Sequence, residues 1–92
     1  MKQKDFPKEM WIKDSCWQVR FVRNIDERGT LGLCDPAIKT IFIKQGQSYQ
    51  ERLDTYWHEV MHIFENEYGF SLNHKHVHKL GEAMARFYVE NF

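Results

Sequence analysis

Net charge is what this 92-residue chain lacks: 13 Lys and Arg residues balance 13 Asp and Glu residues. Without an excess of cations it has no electrostatic footprint of a generic nucleic-acid binder, so no nucleic-acid partner is expected. Cysteine is scarce. Cys16 and Cys34 lie far apart and lack the paired spacing of zinc knuckles or redox motifs, so they read as reduced, partly buried thiols. No apolar run reaches the length of a membrane span, and residues 1–7 lead into charged sequence instead of the apolar core of a signal peptide. These absences point to a cytoplasmic protein with no membrane partner. Repeats, low-complexity segments and linkers are also missing, so residues 1–92 form a single domain. Its start, residues 1–10 with Pro7, reads as irregular, and Lys2, Lys4 and Lys8 as a solvated terminus.

A chain this short buries only a modest fraction of its surface and needs a dense core or reinforcement. Aromatic residues, 15% of the chain, supply bulk, and a bound metal would add its binding energy to folding. Trp17, Val19 and Phe21 alternate with neighbours in the period of a half-buried strand, and residues 24–29 carry turn chemistry. Residues 30–34 are extended until Asp35-Pro36 breaks them, and residues 39–43 are β-branched and aromatic. Three short strands with tight connections predict an antiparallel meander.

Helices follow. Ser48 and Glu51 have the spacing of a capping box, in which each side chain takes an orphan amide of the other. Leu53, Trp57, Val60, Met61, Phe64 and Tyr68 then form one apolar stripe, closed by Gly69 at a left-handed cap. Val77, Leu80, Gly81, Met84, Phe87 and Tyr88 predict a second helix, capped by Asn73 or Ser71 and packed antiparallel on the first through the small Gly81. The fold class expected is α+β: a small three-stranded antiparallel sheet on two antiparallel helices.

Within the first helix, His58-Glu59-Val60-Met61-His62 reads H-E-x-x-H. Residues four apart stand one above the other, so both imidazoles can reach one ion, and zinc suits them. Glu59, about 100° round the helix, is placed to act as general base toward a water. A catalytic zinc typically takes three protein ligands and leaves the fourth position open. The third is sought on the second helix, where His74 lies nearest the helix–helix interface, with His78, Glu82 and His76 as alternatives. Asp54, Glu65 and Glu67 are candidates to orient a ligand's distal ring nitrogen. Tyr56, Tyr68 and Tyr88 are candidates to donate to a developing oxyanion, with nothing to select one. A substrate peptide would most simply add to a strand edge, residues 39–43 being nearest in sequence.

The segments Gly32-Leu33-Cys34-Asp35, Thr40-Ile41-Phe42-Ile43, His58 to His62 and the ending Phe87-Tyr88-Val89-Glu90-Asn91 together resemble the small zincin-like metallopeptidases of bacteriophages and prophages. These are distantly similar to the minimal metallopeptidase domains of the ImmA/IrrE and SprT groups. The resemblance covers about residues 30–92, and its specific part is the H-E-x-x-H core. It implies a small sheet on a motif helix, a zinc ion and hydrolysis of a peptide or protein substrate. It also implies a glutamate third ligand in one branch, which maps to Glu82, and a histidine in the other. The competing function is a non-enzymatic zinc-stabilised interaction module, marked by a closed set such as His58, His62, His74 and His78.

Overall fold

The computed structural model describes residues 6–92, so Lys2 and Lys4 lie outside the described residues. Four strands precede two helices: β1 (Glu9–Ile12), β2 (Ser15–Val22), β3 (Gly32–Asp35), β4 (Thr40–Lys44), α1 (Tyr49–Tyr68) and α2 (His74–Asn91). The class is α+β, but the sheet is four-stranded and mixed, in the order β1-β2-β4-β3.

Two expectations need correction. The segment read as irregular, residues 1–10, ends inside β1, which takes in Glu9 and Met10 and pairs antiparallel with β2 from Glu9↔Gln18 to Ile12↔Ser15. A two-residue turn joins them, with Lys13 and Asp14 at φ 46° and 68°. That left-handed pair is what a tight hairpin demands, yet it is usually advertised by Asn-Gly or Asp-Gly, and Lys-Asp carries no such signal. The meander is also overturned. Strand directions alternate as a meander requires, but β4 occupies the slot beside β2, paired parallel from Gln18↔Thr40 to Val22↔Lys44, and pushes β3 to the edge. Burial explains the order. Ile41 and Ile43 are fully buried and Thr40 nearly so, which suits a central strand, whereas the Gly32-Leu33-Cys34-Asp35 segment has less to hide.

Asp26 holds the loop that lets β3 travel to the edge: one carboxylate oxygen accepts from the Arg28 and Thr30 amides (2.9 and 3.2 Å), the other from the Thr30 hydroxyl. One face of the sheet packs on α1. Ile12, Trp17, Val19, Ile41 and Ile43 meet Val60 and Ile63 there, and each such aliphatic side chain contributes roughly 1.5–3 kcal/mol on burial. Trp17 cannot bury its indole N–H unpaired, and it donates to Glu67 (2.7 Å), which also accepts from the Ser15 hydroxyl (3.1 Å).

The α1 helix starts at the capping box, with the Glu51 amide donating to Ser48 Oγ (3.2 Å) and the Ser48 amide to Glu51 Oε1 (3.0 Å). It ends at Gly69, which is left-handed at φ 70°. Asn73 caps α2 by accepting from the Lys75 amide (2.8 Å). Among the described residues α2 packs on α1 and on no strand, giving three layers: sheet, α1, α2. Its buried line is Val77, Gly81 and Ala85; Leu80 and Phe87, expected in the stripe, face outward because only one side of α2 has a neighbour. Tyr68 likewise ends α1 exposed, beneath the Lys13 ammonium (5.2 Å from its ring). No helix among the described residues is long and apolar enough to cross a membrane.

Candidate metal centre

Three elements converge on the H-E-x-x-H segment. His58 and His62 lie one turn apart on α1, ring centroids 5.0 Å apart, and His74, in the first turn of α2, brings its ring to 5.3 Å from that of His58. One ring nitrogen from each of His58, His62 and His74 falls within 4.8 Å of the others, close enough to share one ion. Gly81 eases this approach. A Cβ built there would stand 3.1 Å from the His58 backbone, so any larger residue would require the two helices to give by a few tenths of an ångström at the level of the cluster.

The other second-helix candidates lie differently. The His78 ring is 6.1 Å from that of His58, and its Nε2 is engaged by Glu82 Oε1 (2.7 Å) in an exposed i,i+4 pair. His76 is exposed and outside the cluster. Of the three acidic residues proposed to orient a ligand ring, Glu65 does touch one: its Oε1 meets His62 Nδ1 at 2.7 Å. Its other oxygen accepts from the Leu72 amide (2.6 Å), so one carboxylate joins His62 to the turn that delivers His74. Glu67 is instead held by Trp17 and Ser15, and Asp54 accepts from Gln50 (3.2 Å).

The electrostatics suit cation binding. Burial, then the neighbouring His62, His74 and His78, push His58 down to about 4, so at neutral pH its lone pair is free. Engagement of His62 Nδ1 by Glu65 leaves His62 Nε2 as the donor atom that can face an ion. Burial alone would raise the Glu65 carboxyl, but the Leu72 amide and His62 outweigh it and hold it below the usual carboxylate range. Glu59 behaves oppositely. It is buried beside the cluster, and desolvation pushes it up to about 7 although His62 pulls the other way.

An open groove of about 770 Å³ runs past the cluster, with His58, Glu59, His62 and His74 on one side and β3 on the other. The substrate strand expected at residues 39–43 is a further correction: β4 is paired on both sides and has no free edge. Of the two edge strands, β1 and β3, the one that borders the groove is β3. The Lys44 amide donates to Leu31 O (2.9 Å), and the register sets Leu33 opposite Phe42 and Asp35 opposite Thr40. In an antiparallel ladder the intervening residues, Gly32 and Cys34, therefore turn their N–H and C=O groups away from β4. Both residues line the groove.

Gly32 is the site residue that sequence reasoning overlooked. A Cβ there would fall 2.5 Å from Thr55 Cγ2 and 2.9 Å from a Glu59 carboxylate oxygen, so the edge strand crosses α1 directly over Glu59 only because position 32 is bare. A glycine inside a strand pattern was the available signal. Cys34 also lines the groove, and burial, then Glu59, push its thiol up to about 12, which disfavours the thiolate. None of the three candidate tyrosines lines the groove. Tyr56 and Tyr88 instead line an aromatic cavity of about 350 Å³ with Phe6, Leu53, Trp57 and Phe92.

No protein-family model, curated protein or solved structure matches this chain.

Proposed function

We propose that this protein is a zinc-dependent metallopeptidase in which His58, His62 and His74 hold the metal and Glu59 is the general base. The observation that carries the reading is the convergence of three imidazole nitrogens within 4.8 Å, next to a buried glutamate, on the wall of an open groove. The resemblance of the H-E-x-x-H segment to zincin-like peptidases points the same way. The donor set fits the metal: three imidazoles leave a fourth position open, as a catalytic zinc needs. His78, which a closed structural site would recruit, is engaged by Glu82, and this favours the open arrangement over a non-enzymatic module.

Zinc, when bound, supplies Lewis acidity toward water and toward a carbonyl. The chain's own groups do the rest. Glu59, buried beside the three imidazoles, is placed to accept a proton from the attacking water and return it to the leaving amine. Glu65 keeps the His62 ring oriented. Gly32 and Cys34 offer backbone groups to which an extended peptide adds as a further strand, bringing a peptide bond past Glu59.

The test combines zinc stoichiometry with peptide hydrolysis. Wild-type protein should bind one zinc, His58→Ala and His74→Ala should each lose most of it, and Glu59→Gln should keep the metal while hydrolysis falls at least 100-fold. Undiminished hydrolysis in Glu59→Gln would remove the general-base assignment, and full zinc retention in His74→Ala would move the third ligand to His78 or Glu82.

A further inference from the structure

We infer that the groove continues past the metal centre into an acidic recess that takes a Lys or Arg side chain of the bound peptide; this rests on the peptidase reading and names its substrate class. The recess, about 370 Å³, shares Gly32, His58, Glu59 and His74 with the groove. On the groove side α1 contributes His62 and Glu65, which follow the shared residues. On the recess side it contributes Glu51 and Asp54, which precede them, and α2 adds Glu82. A peptide paired along β3 that continues beyond Gly32 therefore enters the recess.

Charge selects the occupant with a bound zinc counted. The zinc would sit among residues common to both ends, so the ends differ in their fixed carboxylates. On the groove side Glu65 has both oxygens taken, by His62 and the Leu72 amide. The recess has Glu51, Asp54 and Glu82, and among the described residues no Lys or Arg lines it. At formal charges these three outweigh a zinc ion even with Glu59 set aside. Among the described residues each commits one oxygen, Glu51 to the Ser48 amide (3.0 Å), Asp54 to Gln50 (3.2 Å) and Glu82 to His78 (2.7 Å), and keeps the other open. Glu59, only 6% exposed, also lines the recess and accepts no hydrogen bond among the described residues; a buried carboxylate so placed marks a position that a ligand completes.

The shape of the cluster decides between a metal ion and an organic cation. Among the described residues, His58, His62 and His74 form the one set of ligand atoms close enough to share an ion, so the recess carboxylates are spread too widely for a second metal. Asp54 and Glu51 lie about 6 and 10 Å before His58 along α1, at 1.5 Å per residue. An α-ammonium next to the scissile bond would stay beside the zinc, whereas the long stem of Lys or Arg spans that distance.

The experiment measures binding apart from hydrolysis. Acetylated, fluorescein-labelled peptides of one neutral sequence, with a single Lys, norleucine or Glu moved through each position, are titrated into zinc-loaded Glu59→Gln protein and followed by anisotropy. At one position or more the Lys peptide should bind at least tenfold more tightly than its norleucine counterpart, which keeps the stem and lacks the charge, and the Glu peptide should bind least. Asp54→Asn combined with Glu82→Gln in the same background should shrink the Lys-to-norleucine ratio at least threefold, with zinc content unchanged at one per chain. Asp54→Lys should turn the preference toward the Glu peptide. Equal affinity of Lys and norleucine peptides at every position, no measurable binding of any peptide, or an undiminished ratio in the double variant would each overturn the inference. So would a zinc content altered by the double variant, because the recess would then hold metal. An unacetylated norleucine peptide that bound as tightly as the acetylated Lys peptide would also overturn it, because the recess would then take an α-ammonium. Incubating wild-type protein with the same peptides separates the two claims. Selective binding without hydrolysis sinks the peptidase reading and leaves the basic-residue subsite standing, whereas hydrolysis without selectivity sinks only the subsite.

Discussion

Glu65 has two oxygens and uses each for a different purpose, one on His62 Nδ1 and one on the Leu72 amide. Losing the charge while keeping the shape therefore separates ligand orientation from packing. In Glu65→Gln zinc affinity should fall by roughly 10–100-fold, the usual effect of removing a carboxylate behind a metal-binding imidazole, and hydrogen exchange at the Leu72 amide should accelerate. An unchanged zinc affinity would reduce Glu65 to a turn clamp. Gly32 makes the complementary case. An alanine methyl would collide with Thr55 Cγ2, a contact that overpacking data place at about 1–3 kcal/mol of lost stability. Gly32→Ala should lower the urea midpoint accordingly. Adding Thr55→Ser, which removes the methyl and retains the hydroxyl bonds to Gln47 and the Glu51 carbonyl, should restore much of it. No recovery in the double variant would mean that the Glu59 carboxylate is the obstruction.

Helix α1 is built from local signals, a capping box at one end and a left-handed glycine at the other, and all of these were legible in the residues themselves. Its burial was less so, because a helix lying between a sheet and a second helix hides more than one stripe, including Thr55 and Glu59. Helix α2 reverses the situation: with α1 as the one element packed against it among the described residues, it buries a narrow line centred on Gly81, and its apolar Leu80 and Phe87 remain outside. Gly81→Ala sets two effects against each other. Helix propensity gains roughly 1 kcal/mol, but the new methyl meets the His58 backbone at 3.1 Å, and a backbone cannot rotate away as a side chain can. The collision should win, with a net loss of about 1–2 kcal/mol by denaturant titration, together with weaker zinc binding as α2 and His74 move outward. A more stable variant with unaltered zinc binding would show that the helices separate at no cost.

Across the whole molecule, Glu67 ties sheet to helix by receiving Trp17 and Ser15. The Trp17 hydrogen bond, chiefly, holds its carboxyl below the usual range, against a smaller opposing effect of burial. A carboxyl whose folded pKa is depressed contributes stability that is present above its unfolded value, near 4.5, and is lost as pH falls through the lower folded value. The stability difference between wild type and Glu67→Gln should therefore be constant at neutral pH and narrow below about pH 4.5, with Trp17 fluorescence as the readout. A gap that widened in acid would contradict this assignment.

Residues close in sequence settled much of this protein: H-E-x-x-H spacing sets His58 above His62 once the segment is helical, and each cap that bounds the helix is made by residues within a few positions of one another. Nearest-neighbour chemistry has no reach beyond that. The slot taken by β4 depended on which strand had most to bury, and β1 depended on a Lys-Asp turn with no sequence advertisement. The nearness of His74 to His58, like the passage of β3 over Glu59, rests on two bare positions, Gly81 and Gly32, that meet partners far along the chain. Such long-range contacts are fixed by packing, where a single Cβ decides how near two elements can come.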